Sequence, residues 1–112
     1  MSSVQSYNTV IQDDPGSGGA ILVSRNHLSV ALVTAGSEAR TMGPPVFLGQ
    51  RCLLSFKTDG GACTVTIATE INQAGNTALL FEDVGDMMYL IGCYDGANLR
   101  WRVVANDGVA LS

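Results

Sequence analysis

The chain has 112 residues, of which 46% are hydrophobic and only 14% charged, with a formal net charge of −4. That length makes one domain with a real core and little to spare. Its charged share sits well below the ~25% of an ordinary globular protein, so part of the surface is expected to be buried between subunits. Scattered Lys and Arg exclude a basic nucleic-acid footprint, and no apolar run approaches the roughly 20 residues that span a bilayer. The start, "MSSVQSYNTVIQDD", has neither the basic nor the apolar region of an export leader. These features point to a protein made in a cytoplasm, with neither nucleic acid nor membrane as partner.

Residues 1–12 keep no clear period and are rich in Ser and Asn, so they read as an arm, too short to hold a helix alone. "DDPGSGGA" at 13–20 combines proline, serine and glycines, the composition of a flexible hinge. The chain therefore divides into an arm with its Gly-rich hinge, 1–19, and a β domain, 20–112.

Beyond the hinge the pattern is β throughout. Short runs at 20–24, 28–33, 46–48, 51–58, 62–68, 77–81, 87–94, 98–105 and 109–111 are separated by turn words such as Gly43-Pro44-Pro45, Asp59-Gly60, Asp95-Gly96 and Asn106-Asp107-Gly108. Strands of that length and spacing predict an all-β fold, a compact antiparallel sandwich, jelly roll or β-tulip-like barrel with an extended N-terminal arm. Asp59-Gly60 as a two-residue loop would pair Phe56 with Cys63, Leu54 with Val65 and Cys52 with Ile67, all on one inner face. The other face would carry Leu53, Ser55, Lys57, Thr64 and Thr66 into solvent.

A second hairpin, "DMMYLIGCYDGANLRWRVV" from Asp86 to Val104, is different. Parity puts Met88, Leu90, Gly92 and Tyr94 with Leu99, Trp101 and Val103 on a core face. Its reverse side carries Met87, Tyr89, Ile91 and Cys93 beside Arg100, Arg102 and Val104. Leaving such apolar side chains wet forfeits about 1.5–3 kcal/mol for each large one, so a further layer or subunit is expected to cover them.

No constellation for catalysis emerges. His27 is the lone histidine and no GxSxG elbow exists. Asp59, Asp95 and Asp107 each precede glycine, as backbone turns require, and no calcium-loop spacing accompanies them. "GSGG" at 16–19 lacks the GK[ST] ending of a phosphate loop. Cys52, Cys63 and Cys93, odd in number and without CxxC spacing, read as reduced, buried small apolar residues. Trp101 shares parity with core residues, whereas Arg100 and Arg102 on the reverse face point to an ion pair across an interface. No catalytic residue, metal ligand or cofactor is expected, and the chain is not expected to be an enzyme.

From Leu48 to Ser112 the order of elements resembles a pattern of small tailed-phage virion proteins: Gly49-Gln50, Leu53 to Phe56, Gly60 to Thr66, Gly75 to Phe81, Val84 to Leu90 and Trp101 to Val109. Met87-Met88-Tyr89 and Cys93-Tyr94 are bulkier than that pattern, and the N-terminal half has no counterpart in it. The resemblance implies a homotrimeric virion protein, either a capsid decoration (cement) protein stabilising the expanded shell or a head- or tail-fibre module. The absence of heptads or shaft repeats favours the first. Its partners would be its own copies, the major capsid protein and neighbouring decoration trimers on the capsid surface. Expected anchors of the arm on the capsid are Val4, Tyr7, Val10 and Ile11; the expected trimer contacts are Met87, Tyr89, Ile91 and Arg102.

Overall fold

A computed structural model describes residues 9–24 and 26–112. Among them there is no helix, and the strands are β1 (Thr9–Gln12), β2 (Ala20–Ile21), β3 (His27–Val33), β4 (Glu38–Met42), β5 (Arg51–Thr58), β6 (Cys63–Ile67), β7 (Ala78–Phe81), β8 (Met87–Asp95), β9 (Asn98–Asp107) and β10 (Ala110–Leu111). They form a front sheet ordered β1-β3-β5-β8-β9 and a back sheet ordered β10-β7-β6-β4-β2.

From β1 to β6 the chain alternates between the sheets, front then back, so it winds as a coil. Successive front strands are therefore parallel neighbours, with His27 opposite Arg51, and so are successive back strands, with Glu38 opposite Cys63. Parallel neighbours need a crossover of a dozen or more residues; here each crossover is a strand of the other sheet. After β6 the direction reverses, and β7, β8, β9 and β10 pair antiparallel to their neighbours. Both sheets are thus mixed, which corrects the expectation of an antiparallel sandwich.

The hairpin expected at Asp59-Gly60 does not form: β5 lies in the front sheet and β6 in the back. Its faces nonetheless hold. Cys52, Leu54 and Phe56 are buried on one side of the core and Cys63, Val65 and Ile67 on the other, because alternation sets which side chains turn inward whatever strand lies alongside. The glycines serve close approach and not a tight turn. A Cβ on Gly60 would overlap the backbone of Thr34 and Ala35, and one on Gly61 that of Gly36 and Ser37. Thr34, almost fully buried, joins the two connections, its Oγ1 donating to Gly61 O at 2.6 Å and accepting from Gly60 N at 3.0 Å.

Between the sheets, Leu28, Val30 and Leu32 meet the inner residues of β5 and β8 on one side and Met42, Leu79, Phe81 and Ile71 on the other. Phe56 and Phe81 touch edge to face, with centroids 6.2 Å apart. Cys52 and Cys63 are free, fully buried thiols; burial pushes Cys52 up to about 12 and Cys63 in the same direction. Trp101 is also fully buried, and its indole N–H donates to Gly43 O at 2.9 Å.

Segment 13–19, read from composition as a flexible hinge, is docked on the body. Asp14 accepts hydrogen bonds from Val33 N and from Arg40, Gly18 N donates to Ala39 O, and Thr41 N donates to Gly19 O. Residues 9–12, assigned to the arm, form the edge strand β1 alongside β3.

Candidate functional site

The outer faces of the two sheets differ in chemistry. On the back sheet the rows read Ala20, Thr41, Thr66, Ala78 and Ala39, Thr64, Leu80, Ala110. Apart from Leu80, these side chains are small or hydroxylated and readily solvated. On the front sheet one row runs edge to edge through Ile11, Ser29, Leu53, Tyr89 and Ala105, and the next through His27, Arg51, Ile91 and Arg102. Met87 follows opposite Ser55. The front face carries an apolar patch, Leu53, Tyr89, Ile91 and Met87, flanked by Ser29, Ser55, His27, Arg51 and Arg102, and among the described residues no strand or helix lies over it.

Met87, Tyr89, Ile91 and Cys93 are half-buried by one another and by neighbouring strands. Tyr89 also leans on His27, ring centroids 6.0 Å apart. The positions reached by sequence parity, Met87, Tyr89, Ile91 and Arg102, do share this face. Arg102 is already engaged within the chain, its Nη2 donating to Asp95 Oδ2 at 3.0 Å and its Nη1 to Glu70 O at 2.9 Å. Arg100 bonds Glu70 Oε2 at 2.6 Å. These charges gather at the end where β5 starts, leaving the middle of the face apolar.

Of the expected anchors, Val4 and Tyr7 lie outside the described residues, and Val10 is placed only by its backbone pairing with Leu28. Ile11 is 86% exposed and belongs to the apolar row. Leu53, assigned from sequence to a solvated side, stands directly across from Tyr89 at the middle of the face. Pairing β5 with the wrong neighbour hid it.

A second apolar feature was read as a strand at 46–48. It is instead a loop with Val46, Phe47 and Leu48 turned outward, and Tyr94, expected on the core face, is likewise exposed at the end of β8 because the core stops short of it. The backbone there is pinned: Val46 N donates to Oε1 of the fully buried Gln50 at 2.7 Å, and Gly49 N to Gly92 O at 2.9 Å. Gly92 makes room for it, since a Cβ there would press on Phe47 O and Pro45. Its flanking Gly-Pro-Pro and Gly leave too few residues for a strand, and that was the available signal.

No family model matches the chain, and no curated protein matches it.

Among the described residues no group of His, Cys, Asp and Glu could hold a metal ion. A groove of about 450 Å³ opens at the β1 and β2 edges between Ile11, Gln12, Asp13, Pro15 and Leu22. Its one partly buried carboxylate, Asp14, is committed to Arg40. The arrangement is suited to docking: an apolar patch on one sheet face, and a rigid apolar loop at one end of it.

Proposed function

We propose that this chain is a structural virion component, a capsid decoration protein that works as a homotrimer on the outer shell and stabilises its expanded form. The observation that carries the reading is the contrast between the two outer faces, a central apolar patch of Leu53, Met87, Tyr89 and Ile91 on the front sheet against a mainly threonine and alanine surface on the back. Covering what Leu53, Tyr89, Ile91 and Met87 still expose is worth about half of the ~1.5–3 kcal/mol of a fully exposed side chain each, together a sizeable fraction of a net stability of ~5–15 kcal/mol. Sister copies supply that cover. The resemblance of residues 48–112 to tailed-phage virion proteins supplies the setting.

A trimer gripping several capsid subunits gains by avidity, since its second and third contacts are intramolecular. Val4 and Tyr7, upstream of β1, are the proposed anchors on the major capsid protein or on neighbouring trimers. The exposed Val46-Phe47-Leu48 loop with Tyr94 favours one second reading, a trimeric head- or tail-fibre module docking through that tip. Electron micrographs of particles with and without the protein test both. Density at many copies over the shell supports decoration; a few copies on a fibre support the second reading; particles carrying none overturn both.

A further inference from the structure

The open edges of the two sheets lie together. β1 ends the front sheet and β2 the back one, and the groove of about 450 Å³ runs between them, with Ile11 86% and Leu22 65% exposed at its sides. Neither strand carries a charge or a proline that would blunt an edge against an added strand. The far edge of the front sheet differs, since Glu70, in the connection after β6, holds Arg100 and Arg102 of β9.

Beside β2 the backbone is set for one more strand. Thr41 N donates to Gly19 O at 3.1 Å, so that carbonyl faces β4. Alternation then turns the N–H and C=O of Ala20, and those of Leu22, to the open side. Leu22 O is met there by a side chain, Gln12 Nε2 at 3.0 Å, and not by a strand.

The winding of the chain points to what belongs in that place. From β1 to β6 the strands alternate front and back, through connections as short as the four residues of 34–37 and of 59–62. A strand preceding β1 in this order lies in the back sheet, beside β2. Upstream of Thr9 stand the eight residues MSSVQSYN, enough for a four-residue connection and a strand as long as β1 or β7. A segment tethered this closely meets its site at an effective concentration of about millimolar, which favours it over a strand from another molecule.

We propose that residues 1–4 of the same chain fill this position as a further strand parallel to β2, with Val4 turned inward opposite Ile21 and 5–8 leading into β1. The added strand takes up the free N–H and C=O of Ala20 and the N–H of Leu22, and closes the groove under Ile11. The proposal concerns the free protein and is independent of the capsid reading; on a shell the segment has to leave this edge before Val4 can anchor it.

Paired cysteines test the placement in the full chain. The register sets Gln5 opposite Leu22 on the outer side. In a Cys93→Ser background, Gln5→Cys with Leu22→Cys should close, on mild oxidation, a bond within one chain, seen as a faster single-chain band on a non-reducing gel and as the linked peptides by mass spectrometry. A bond joining two chains places the segment on a neighbour and overturns the proposal, as does the absence of any bond. Amide exchange is the second measurement, on the unaltered chain and on Val4→Asp. The N–H groups of Ala20 and Leu22 should be protected in the first and exchange about tenfold faster in the second, with that of Ile71 unchanged. Fast exchange at both positions in the unaltered chain, or equal protection in the two proteins, overturns the proposal.

Discussion

Arg40 lies fully buried with its guanidinium doubly bonded to Asp14, Nε to Oδ1 and Nη2 to Oδ2, each at 2.8 Å. Nη1 reaches Glu38 Oε1 at 2.9 Å and Nη2 also reaches Val33 O at 3.0 Å. One side chain thus joins the 13–19 segment, the end of β3 and the start of β4. Because removing one member of a buried pair strands the other, Arg40→Ala should lower stability by about 3–5 kcal/mol in urea unfolding. Arg40→Met, which keeps the volume, should still lose Asp14 and release 13–19 to protease.

The same cluster sets an acid limit. Burial pushes Asp14 up, but the bonds from Arg40, Val33 N and Gly16 N outweigh it and hold the carboxyl below its ordinary 3.8. Glu38 is lowered by the Ala35 N–H and by Arg40. Groups with depressed folded values contribute fully above their unfolded values and lose that contribution as pH falls through the folded ones. The unfolding midpoint should therefore be steady near neutral pH and drop below about pH 4. Asp14→Asn should flatten that drop in thermal scans across pH.

Gly61→Ala separates the coil from a hairpin. Outside a two-residue Asp59-Gly60 loop the added methyl would be harmless. Against the backbone of Gly36 and Ser37 it has no room, so a loss of about 1–3 kcal/mol is expected from overpacking. Denaturant midpoints of the variant and the parent check it.

Trp101→Phe keeps most of the buried ring but leaves Gly43 O without its donor. A cost of about 1–3 kcal/mol should follow. Loosening of the 43–50 loop should appear as faster amide exchange at Val46 and Gly49.

On the proposed assembly through the front face, Met87→Asp with Tyr89→Asp should give single-chain mass by light scattering while leaving the fold intact, since both side chains point away from the core. A trimer that survives both charges rules out this face.

Much of this was legible in residue order. Alternation in "RCLLSFKT", "CTVTI" and "MMYLIG" put the right side chains inside, while Tyr94, next in the same parity, lies beyond the end of the core and is exposed, and the hairpin at Asp95-Gly96 pairs Ile91 with Arg102 and Gly92 with Trp101 as its parity required. The turn word at Asp59-Gly60-Gly61 misled because glycine answers two demands, a reversal or a close approach, and only the packing of 34–37 against it distinguishes them. The hinge reading of 13–19 failed for a related reason: composition cannot foresee that Arg40, far along the chain, will claim Asp14.

Period-two patterning is local, so sequence alone determined the β class and the inward and outward face of most strands. Which strand lies beside which is settled by contacts between residues distant in the chain. The tertiary structure alone therefore decided that the chain winds as a coil between two mixed sheets, and that Ile11, Leu53 and Tyr89 share one apolar row.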